Sequence, residues 1–181
     1  ALCDGIGVAL AAWLLHGRRI PRCTGCDLFS RLVGQAEARG WSVFLLGASP
    51  ASNRGAGRQL LRLHPALKIA GQRDGYFDDP PAVIRQVNDS GADLLFVALG
   101  SPGQELFIHR HRPAIRSPLM MGVGGTFDVL SGVARRAPAV FRKTGTEFLY
   151  RLFSDPSRWR RQLALPRFAR DVLAARFRGP V

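Results

Sequence analysis

Short apolar runs alternate with amphipathic segments along the chain, and each apolar run is followed by a glycine. The runs predict β-strands at residues 41–46, 67–70, 94–99 and 119–123. Residues 94–99 are apolar at every position, which is typical of a strand that is buried on both faces of a parallel sheet. Strands and helices in this order predict an α/β fold with a doubly wound, mostly parallel sheet.

Helical periodicity occupies the segments around the predicted strands. It predicts helices at residues 5–17, 27–39, 51–64, 80–90 and 101–112, the last with Ser101 as its N-cap. The first helix is apolar on almost every side, and we therefore expect it to be buried. In the second and third helices, the residues expected to face the core are Leu28, Leu32, Ala36, Leu60, Leu61 and Leu63.

Three glycine-bearing turns follow predicted strand ends, at residues 47–50, 100–104 and 122–126. Doubly wound sheets bind their ligands beyond the carboxyl ends of the strands. Glycine lets the backbone approach a ligand there, and helix N-termini attract anions. The three turns together indicate a ligand that carries phosphate. Tight strand-to-helix connections would use glycine in the same way, so the pattern alone leaves both interpretations open.

The carboxy-terminal part of the chain is strongly basic. Residues 135–181 contain twelve basic and three acidic residues, a net +9 of the chain's +13. Basic amphipathic helices are predicted at 148–153 and at 157–178, the latter bent at Pro166. Such a segment implies an anionic partner, which could be nucleic acid, an anionic membrane surface or a phosphorylated ligand. No run of 18 apolar residues occurs, so no transmembrane helix is predicted.

Polar residues at the predicted strand ends are candidates for chemistry. Asp4 lies where an apolar strand end meets Gly5 and an apolar helix, which suits either a catalytic carboxylate in the ligand crevice or a simple N-cap. Gln104 and Asp128 occupy first-turn positions at the same edge, and by position alone they are more typical of solvated side chains.

Other charged and thiol groups have two interpretations each. Arg151, Arg158 and Arg161 could bind diphosphate oxygens in bidentate fashion or form a solvated basic face. The acidic pair at 78–79 precedes a helix, where helix capping is favoured over metal binding. The C-x-x-C pair at 23 and 26 lacks the second ligand pair of a zinc site, which leaves redox chemistry or small half-buried residues.

A set of ordered motifs covers residues 4 to about 161. They are DGIGV from residue 4, RCTGCD from 22, FLLG from 44, DGYF from 74, ALGSPGQE from 98, GVGGTFD from 122, GVARRAP from 132, EFLYRL from 147 and PSRWRR from 156. Together they resemble the bacterial WecG/TagA/CpsF glycosyltransferases. That resemblance implies a Rossmann-like catalytic domain at residues 1–134 and a basic helical appendage at 135–181 that binds the membrane and the acceptor.

The resemblance also implies an activity. The expected reaction is inverting transfer of a hexose or N-acetylhexosamine from a UDP-sugar to a polyprenyl-diphosphate-linked sugar, in cell-surface polysaccharide or teichoic-acid synthesis. Asp4 would be the general base, with no metal and no cofactor. The substrate-binding residues implied are Arg22, Thr24, Gln104, Gly124, Gly125, Asp128, Arg151, Arg158 and Arg161.

The expected partners are the donor, the lipid-linked acceptor and an anionic membrane surface, with the enzyme peripheral on the cytoplasmic face. Homo-oligomer formation is left open, and nucleic acid is not expected as a partner. Two other interpretations compete: an arginine-rich nucleic-acid-binding module, or an inactive fragment. The second arises because residues 1–4 resemble the end of a strand, and we expect the family's amino-terminal segment, with its Thr-x-Asn motif, to be absent from this chain.

Overall fold

The computed structural model describes residues 6–21, 23–135, 138, 141, 150 and 164–178. The chain divides into two compact units. One unit is Gly25–Arg135, and the other combines Ala1–Thr24 with Arg136–Val181. The sequence-based division at residue 134 stays a prediction.

A four-stranded parallel sheet forms the centre of the Gly25–Arg135 unit. Its strands, in chain order, are β1 (Ser42–Gly47), β2 (Lys68–Arg73), β3 (Leu94–Ala98) and β4 (Leu119–Gly122). They are arranged in the order β2-β1-β3-β4, with Leu45 opposite Phe96 and Phe96 opposite Met121 in register. β2 therefore lies on one side of β1, whereas β3 and β4 lie on the other side. This arrangement confirms the predicted α/β fold.

Helices connect the strands and cover both faces of the sheet. The helices of the sheet unit are α2 (Gly25–Arg39), α3 (Pro50–Leu63), α4 (Pro80–Asp89), α5 (Gly103–His111) and α6 (Thr126–Leu130), with a 3-10 turn at Arg112–Ala114. The other unit contains α1 (Ile6–His16) and α7 (Ala164–Arg178), which pack against each other, with Phe168 beside Gly7.

The core lies on both faces of β1 and β3, where alternate residues of each strand point to opposite faces. On one face, Leu45 and Phe96 pack with side chains of α2, α3 and α6. On the other, Phe44 and Val97 pack with α4 and α5. Burial on both faces explains why these two strands lack polar alternation, as predicted for residues 94–99.

Several details differ from the sequence predictions. α1 has no buried residue, although it was expected to be buried because it is apolar all round. In α2, Ala36 is buried as predicted and Leu32 packs partly buried against the core, but the other fully buried residues are Phe29 and Val33, one position on from Leu28 and Leu32. Periodicity over so short an apolar stripe defines a face only to within one residue.

α3 differs more. Leu60 is buried, but Leu61 and Leu63 are exposed, because the buried face of this helix consists of small and polar residues instead. Ser101 does not cap α5: the N-cap position is Pro102, and no side chain accepts a hydrogen bond there. Asp79 does cap α4, and its carboxylate accepts a hydrogen bond from the Ala82 N–H, as the capping interpretation predicted.

Candidate active site

The turns that follow β1, β2 and β3 are joined by backbone hydrogen bonds. The Ala48 N–H donates to the Ala98 carbonyl at 2.8 Å, and the Gly75 N–H donates to the Ala48 carbonyl, also at 2.8 Å. Gly47 has a φ of +112°, and a Cβ at this position would lie 2.5 Å from the Ala98 carbonyl carbon. The positive φ and the lack of room for a Cβ both require glycine at position 47. The backbone at the carboxyl edge of the sheet is therefore closely packed.

The side chain of Asn53, on α3, holds the ends of β1 and β2 in place. Its buried side-chain amide donates to the carbonyl oxygens of Leu45, Gly47 and Arg73 at 2.9–3.1 Å. Gln72 of β2 donates in turn to the Asn53 side-chain oxygen at 3.3 Å. Because a buried carbonyl without a partner is costly, Asn53 stabilises the ends of β1 and β2 together. The sequence pattern does not identify Asn53, whose one local signal is an amide in the helix that follows a glycine turn.

The strand ends on the other side of the sheet are connected through Gln104. This side chain is 7% exposed, so the expectation that it is solvated is wrong. Its Oε1 accepts a hydrogen bond from the Gly124 N–H, and its Nε2 donates to the Glu105 carboxylate, each at 2.8 Å. A Cβ on Gly122 would lie only 2.7 Å from the Gln104 amide nitrogen. Gln104 therefore determines the position of the turn between β4 and α6.

The same turn is anchored from α2. Thr126 donates its hydroxyl hydrogen to the Val123 carbonyl at 2.6 Å. Its hydroxyl oxygen lies 3.3 Å from Cys26 Sγ, and since the hydroxyl hydrogen is already used, the thiol is the donor of this second bond. Cys26 is a half-buried free thiol that binds the β4–α6 turn to the start of α2.

Two further side chains flank the carboxyl edge. Asp128 is half-buried on α6, and its Oδ2 lies 3.7 Å from where a Cβ on Gly125 would be. Tyr76 is 73% exposed and follows Gly75, which is itself bonded to the β1 turn. The sequence pattern did not predict Tyr76 as a site residue, although this residue lies in the DGYF motif.

The structure brings together four of the predicted site residues: Gln104, Gly124, Gly125 and Asp128 all lie at the ends of β3 and β4. Thr24 is half-buried and belongs to the other unit. The remaining predicted residues lie outside the described part of the chain; they are Asp4, Arg22, Arg151, Arg158 and Arg161.

Among the residues that the structure describes, two carboxylates have lowered pKa values, and both have structural roles. A hydrogen bond from His64, at 2.7 Å, holds the pKa of Glu37 below its ordinary value of 4.5, with a smaller contribution from the Ala66 N–H. Hydrogen bonds from the Ser42 backbone N–H and then its hydroxyl lower the pKa of Asp93. Asp93 precedes β3 and Glu37 lies on α2, so neither belongs to the carboxyl edge. His64 is half-buried where it contacts Glu37.

Within residues 6–21, 23–135 and 164–178, no group of three His, Cys, Asp or Glu side chains is placed to hold a metal ion. No helix in the same part of the chain combines the length and apolar character that crossing a bilayer requires.

A parallel sheet with a switch point between β1 and β3 and closely packed glycine turns at its carboxyl edge defines a Rossmann-like α/β domain. The sequence model of the glycosyl transferase WecG/TagA/CpsF family matches residues 1–180. The chain belongs to this family of glycosyltransferases, as its motifs predicted.

Two curated relatives are similar over 172 residues, which is 95% of this chain and 67% of each relative. Both are N-acetylglucosaminyldiphosphoundecaprenol N-acetyl-beta-D-mannosaminyltransferases. One is from Bacillus subtilis (strain 168), at 40% identity, and the other is from Bacillus spizizenii (strain ATCC 23059 / NRRL B-14472 / W23), at 39%.

Proposed function

We propose that this chain transfers an N-acetylhexosamine, of the N-acetylmannosamine type, from a UDP-sugar to a polyprenyl-diphosphate-linked sugar. The observation that carries the proposal is the 40% identity, over 95% of the chain, to an N-acetylglucosaminyldiphosphoundecaprenol N-acetyl-beta-D-mannosaminyltransferase. A glucose donor is the alternative within the same reaction class.

The donor nucleotide is assigned to the carboxyl edge of the sheet. Glycine at 124 and 125 allows the backbone to approach phosphate oxygens, and the hydrogen bond from Gly124 to Gln104 holds this turn in one position. Asp128 can accept hydrogen bonds from the N–H or hydroxyl groups of a nucleoside. The exposed ring of Tyr76 offers a face on which a uracil base can stack.

The chemical step is assigned to Asp4. Its carboxylate removes the proton from the acceptor hydroxyl while that oxygen attacks the anomeric carbon of the donor. The bond from the anomeric carbon to the diphosphate oxygen breaks in the same step, and UDP leaves with the electron pair. A single displacement inverts the anomeric configuration. Arg22 and the turn amides would stabilise the diphosphate charge in place of a metal or cofactor.

The acceptor is assigned to the basic appendage at 135–181. Arg151, Arg158 and Arg161 would bind the diphosphate of the lipid carrier, because guanidinium groups bind phosphate oxygens in bidentate fashion. The surplus of arginine would also hold the appendage on an anionic membrane. The enzyme would then work at the cytoplasmic face of the membrane, where both substrates meet.

A UDP-release assay tests the proposal. The full chain is incubated with UDP-N-acetylmannosamine, UDP-N-acetylglucosamine or UDP-glucose and a short-chain prenyl-diphosphate-N-acetylglucosamine, with and without a chelator. Release that depends on the acceptor, prefers one donor and survives chelation supports the proposal. Release that is equal without acceptor, or that chelation abolishes, contradicts it.

A further inference from the structure

The α1 helix leaves large apolar side chains on the protein surface. Leu10 is 55% exposed and Trp13 is 51% exposed, and Val8 is exposed as well. The helix packs against α7 through the neighbourhood of Gly7, and this contact does not cover Leu10 or Trp13. Exposed aliphatic and aromatic side chains on one short helix indicate an interaction surface.

The chain folds back along α1 and turns this surface into a groove. Gly17 ends the helix with a φ of +65°, and its N–H donates to the Trp13 carbonyl at 2.9 Å. The segment that follows then lies against the helix. The resulting groove has a volume of about 260 Å³ and is lined by Ala9, Leu10, Trp13, Arg19 and Ile20.

The surroundings of the groove are cationic. Residues 6–24 contain Arg18, Arg19 and Arg22 and no acidic residue, and Arg18 and Arg19 are exposed. Arg19 forms part of the groove wall itself. An apolar groove bordered by guanidinium groups is complementary to an amphiphile that joins a hydrocarbon chain to an anionic head. Along the sequence, Ile20 precedes Arg22 and Thr24, two predicted substrate-binding residues, by only two and four positions.

We propose that this groove binds the first isoprene units of the polyprenyl-diphosphate-linked acceptor, with Arg19 and its neighbour Arg18 next to the diphosphate. The inference rests on the proposed function, and it gives the lipid chain its own binding site in the protein. The charge of the groove favours a lipid with an anionic head over a second copy of this protein, because Arg19 forms part of its wall and the chain itself carries a net charge of +13.

Binding of prenyl diphosphates of different length tests the proposal without any turnover. Calorimetry on the full chain compares farnesyl diphosphate, dimethylallyl diphosphate and inorganic diphosphate. We expect the farnesyl compound to bind at least about tenfold more tightly than the dimethylallyl compound, because its extra methylene and methyl groups are buried in the groove. The ratio of the two dissociation constants removes the contribution of the shared diphosphate.

Leu10→Gln is the informative variant, because glutamine keeps helix propensity and charge while it removes the apolar wall. We expect it to bring the ratio to within about twofold of unity, against the tenfold expected of the unsubstituted chain. Leu63→Gln is the matched control, because Leu63 is also 55% exposed but lies on α3, and it should leave the ratio unchanged. Ile20→Gln, outside any helix, should act like Leu10→Gln, which guards against a local effect on α1.

Other outcomes overturn the proposal. A wild-type ratio near unity, or a ratio that survives both groove substitutions, means that the groove does not hold the chain. If Leu10→Gln instead lowers the oligomeric state in sedimentation with the ratio preserved, the groove is a contact between copies. If Leu10→Gln lowers only the binding to liposomes, the groove contacts the bilayer rather than a single lipid chain. A tenfold wild-type ratio that both groove substitutions remove, in a protein that transfers no sugar, would refute the proposed function but leave prenyl-diphosphate binding in the groove standing.

Discussion

Gln104 Oε1 accepts a hydrogen bond from the Gly124 N–H at 2.8 Å, and this bond connects the first turn of α5 to the turn that follows β4. The same side chain donates to Glu105 at 2.8 Å, so both ends of its amide have partners inside the protein. Gln104 is therefore a positioning residue for the carboxyl edge. Its sequence position next to a glycine turn gave no indication of that burial.

Replacing the Gln104 amide should destabilise the turn that follows β4. Gln104→Leu leaves the Gly124 N–H without its acceptor, and we expect the free energy of unfolding to fall by about 1–3 kcal/mol and UDP release to fall with it. Urea denaturation and the UDP-release assay measure the two effects. Glu105→Gln is the control, since its side-chain oxygen can still accept from Gln104. Equal losses in the two variants would contradict the positioning role.

Gly122 should not tolerate a side chain. Gly122→Ala places a Cβ 2.7 Å from the Gln104 amide nitrogen, so we expect Gln104 to be displaced and turnover to fall in parallel with Gln104→Leu. Gly34→Ala is the control within α2, where a new Cβ meets nothing within 4 Å. It should stabilise the protein by roughly 0.4–1 kcal/mol, because alanine has less conformational freedom to lose. Thermal unfolding and a parallel activity assay measure both variants. Equal changes in Gly122→Ala and Gly34→Ala would contradict this account of Gly122.

The sequence predicted β1, β3 and β4 well because these strands are short, apolar and followed by glycine, whereas β2 continues through Gly71 to Arg73, beyond the predicted end at residue 70. Phe96 and its neighbours can be buried only between two helical layers, so their pattern determines the architecture. The exposed position of α1 could not be predicted in this way. Hydropathy gives the tendency of a segment to be covered, whereas the covering elements are set by tertiary contacts.

Some features of the candidate site could likewise be predicted from the sequence, and others could not. The glycine turns and the polar residues at 104 and 128 could be located from the order of strands. The network around Asn53 and the thiol–hydroxyl contact of Cys26 with Thr126 could not, because each joins residues of different elements. Hydrogen bonds between distant segments have no local sequence signal.

The Glu37–His64 contact should make stability depend on pH. Because the pKa of Glu37 is lowered in the folded state, the unfolded chain binds the proton more tightly. The contribution is therefore present above about pH 4.5 and is lost as the pH falls. Glu37→Gln should reduce stability at neutral pH and flatten the decline between about pH 5 and pH 3. Chemical denaturation across this range measures it, with Asp89→Asn on the exposed end of α4 as control. An unchanged slope in Glu37→Gln would contradict the assignment.

The appendage arginines should determine membrane binding. A variant with Arg151, Arg158 and Arg161 replaced by alanine should lose roughly a hundredfold in affinity for anionic liposomes at low salt, at ~1 kcal/mol for each arginine. The control variant replaces Arg54, Arg58 and Arg62 by alanine, which removes the same amount of charge from the exposed face of α3.

Co-sedimentation with liposomes, repeated with RNA over a salt titration, compares the two triple variants. Equal losses in both would mean that total charge, rather than the appendage, determines binding. Tighter binding to RNA than to liposomes at every salt concentration would favour the nucleic-acid interpretation instead.

Asp4 is the proposed base for sugar transfer from UDP to the lipid-linked acceptor. We expect Asp4→Asn to lower kcat by about 10²–10⁴-fold, because amide cannot accept the proton of the attacking hydroxyl. Asp78→Asn, at an exposed position before α4, should keep normal turnover.

The most direct measurement uses a donor that is radiolabelled in its sugar and follows the label into the lipid phase. The account predicts that the wild-type chain moves one labelled sugar into the polyprenyl-linked product for each UDP released, and that Asp4→Asn almost abolishes this transfer. Label that stays in the aqueous phase while UDP is released, or transfer that Asp4→Asn leaves intact, would contradict it.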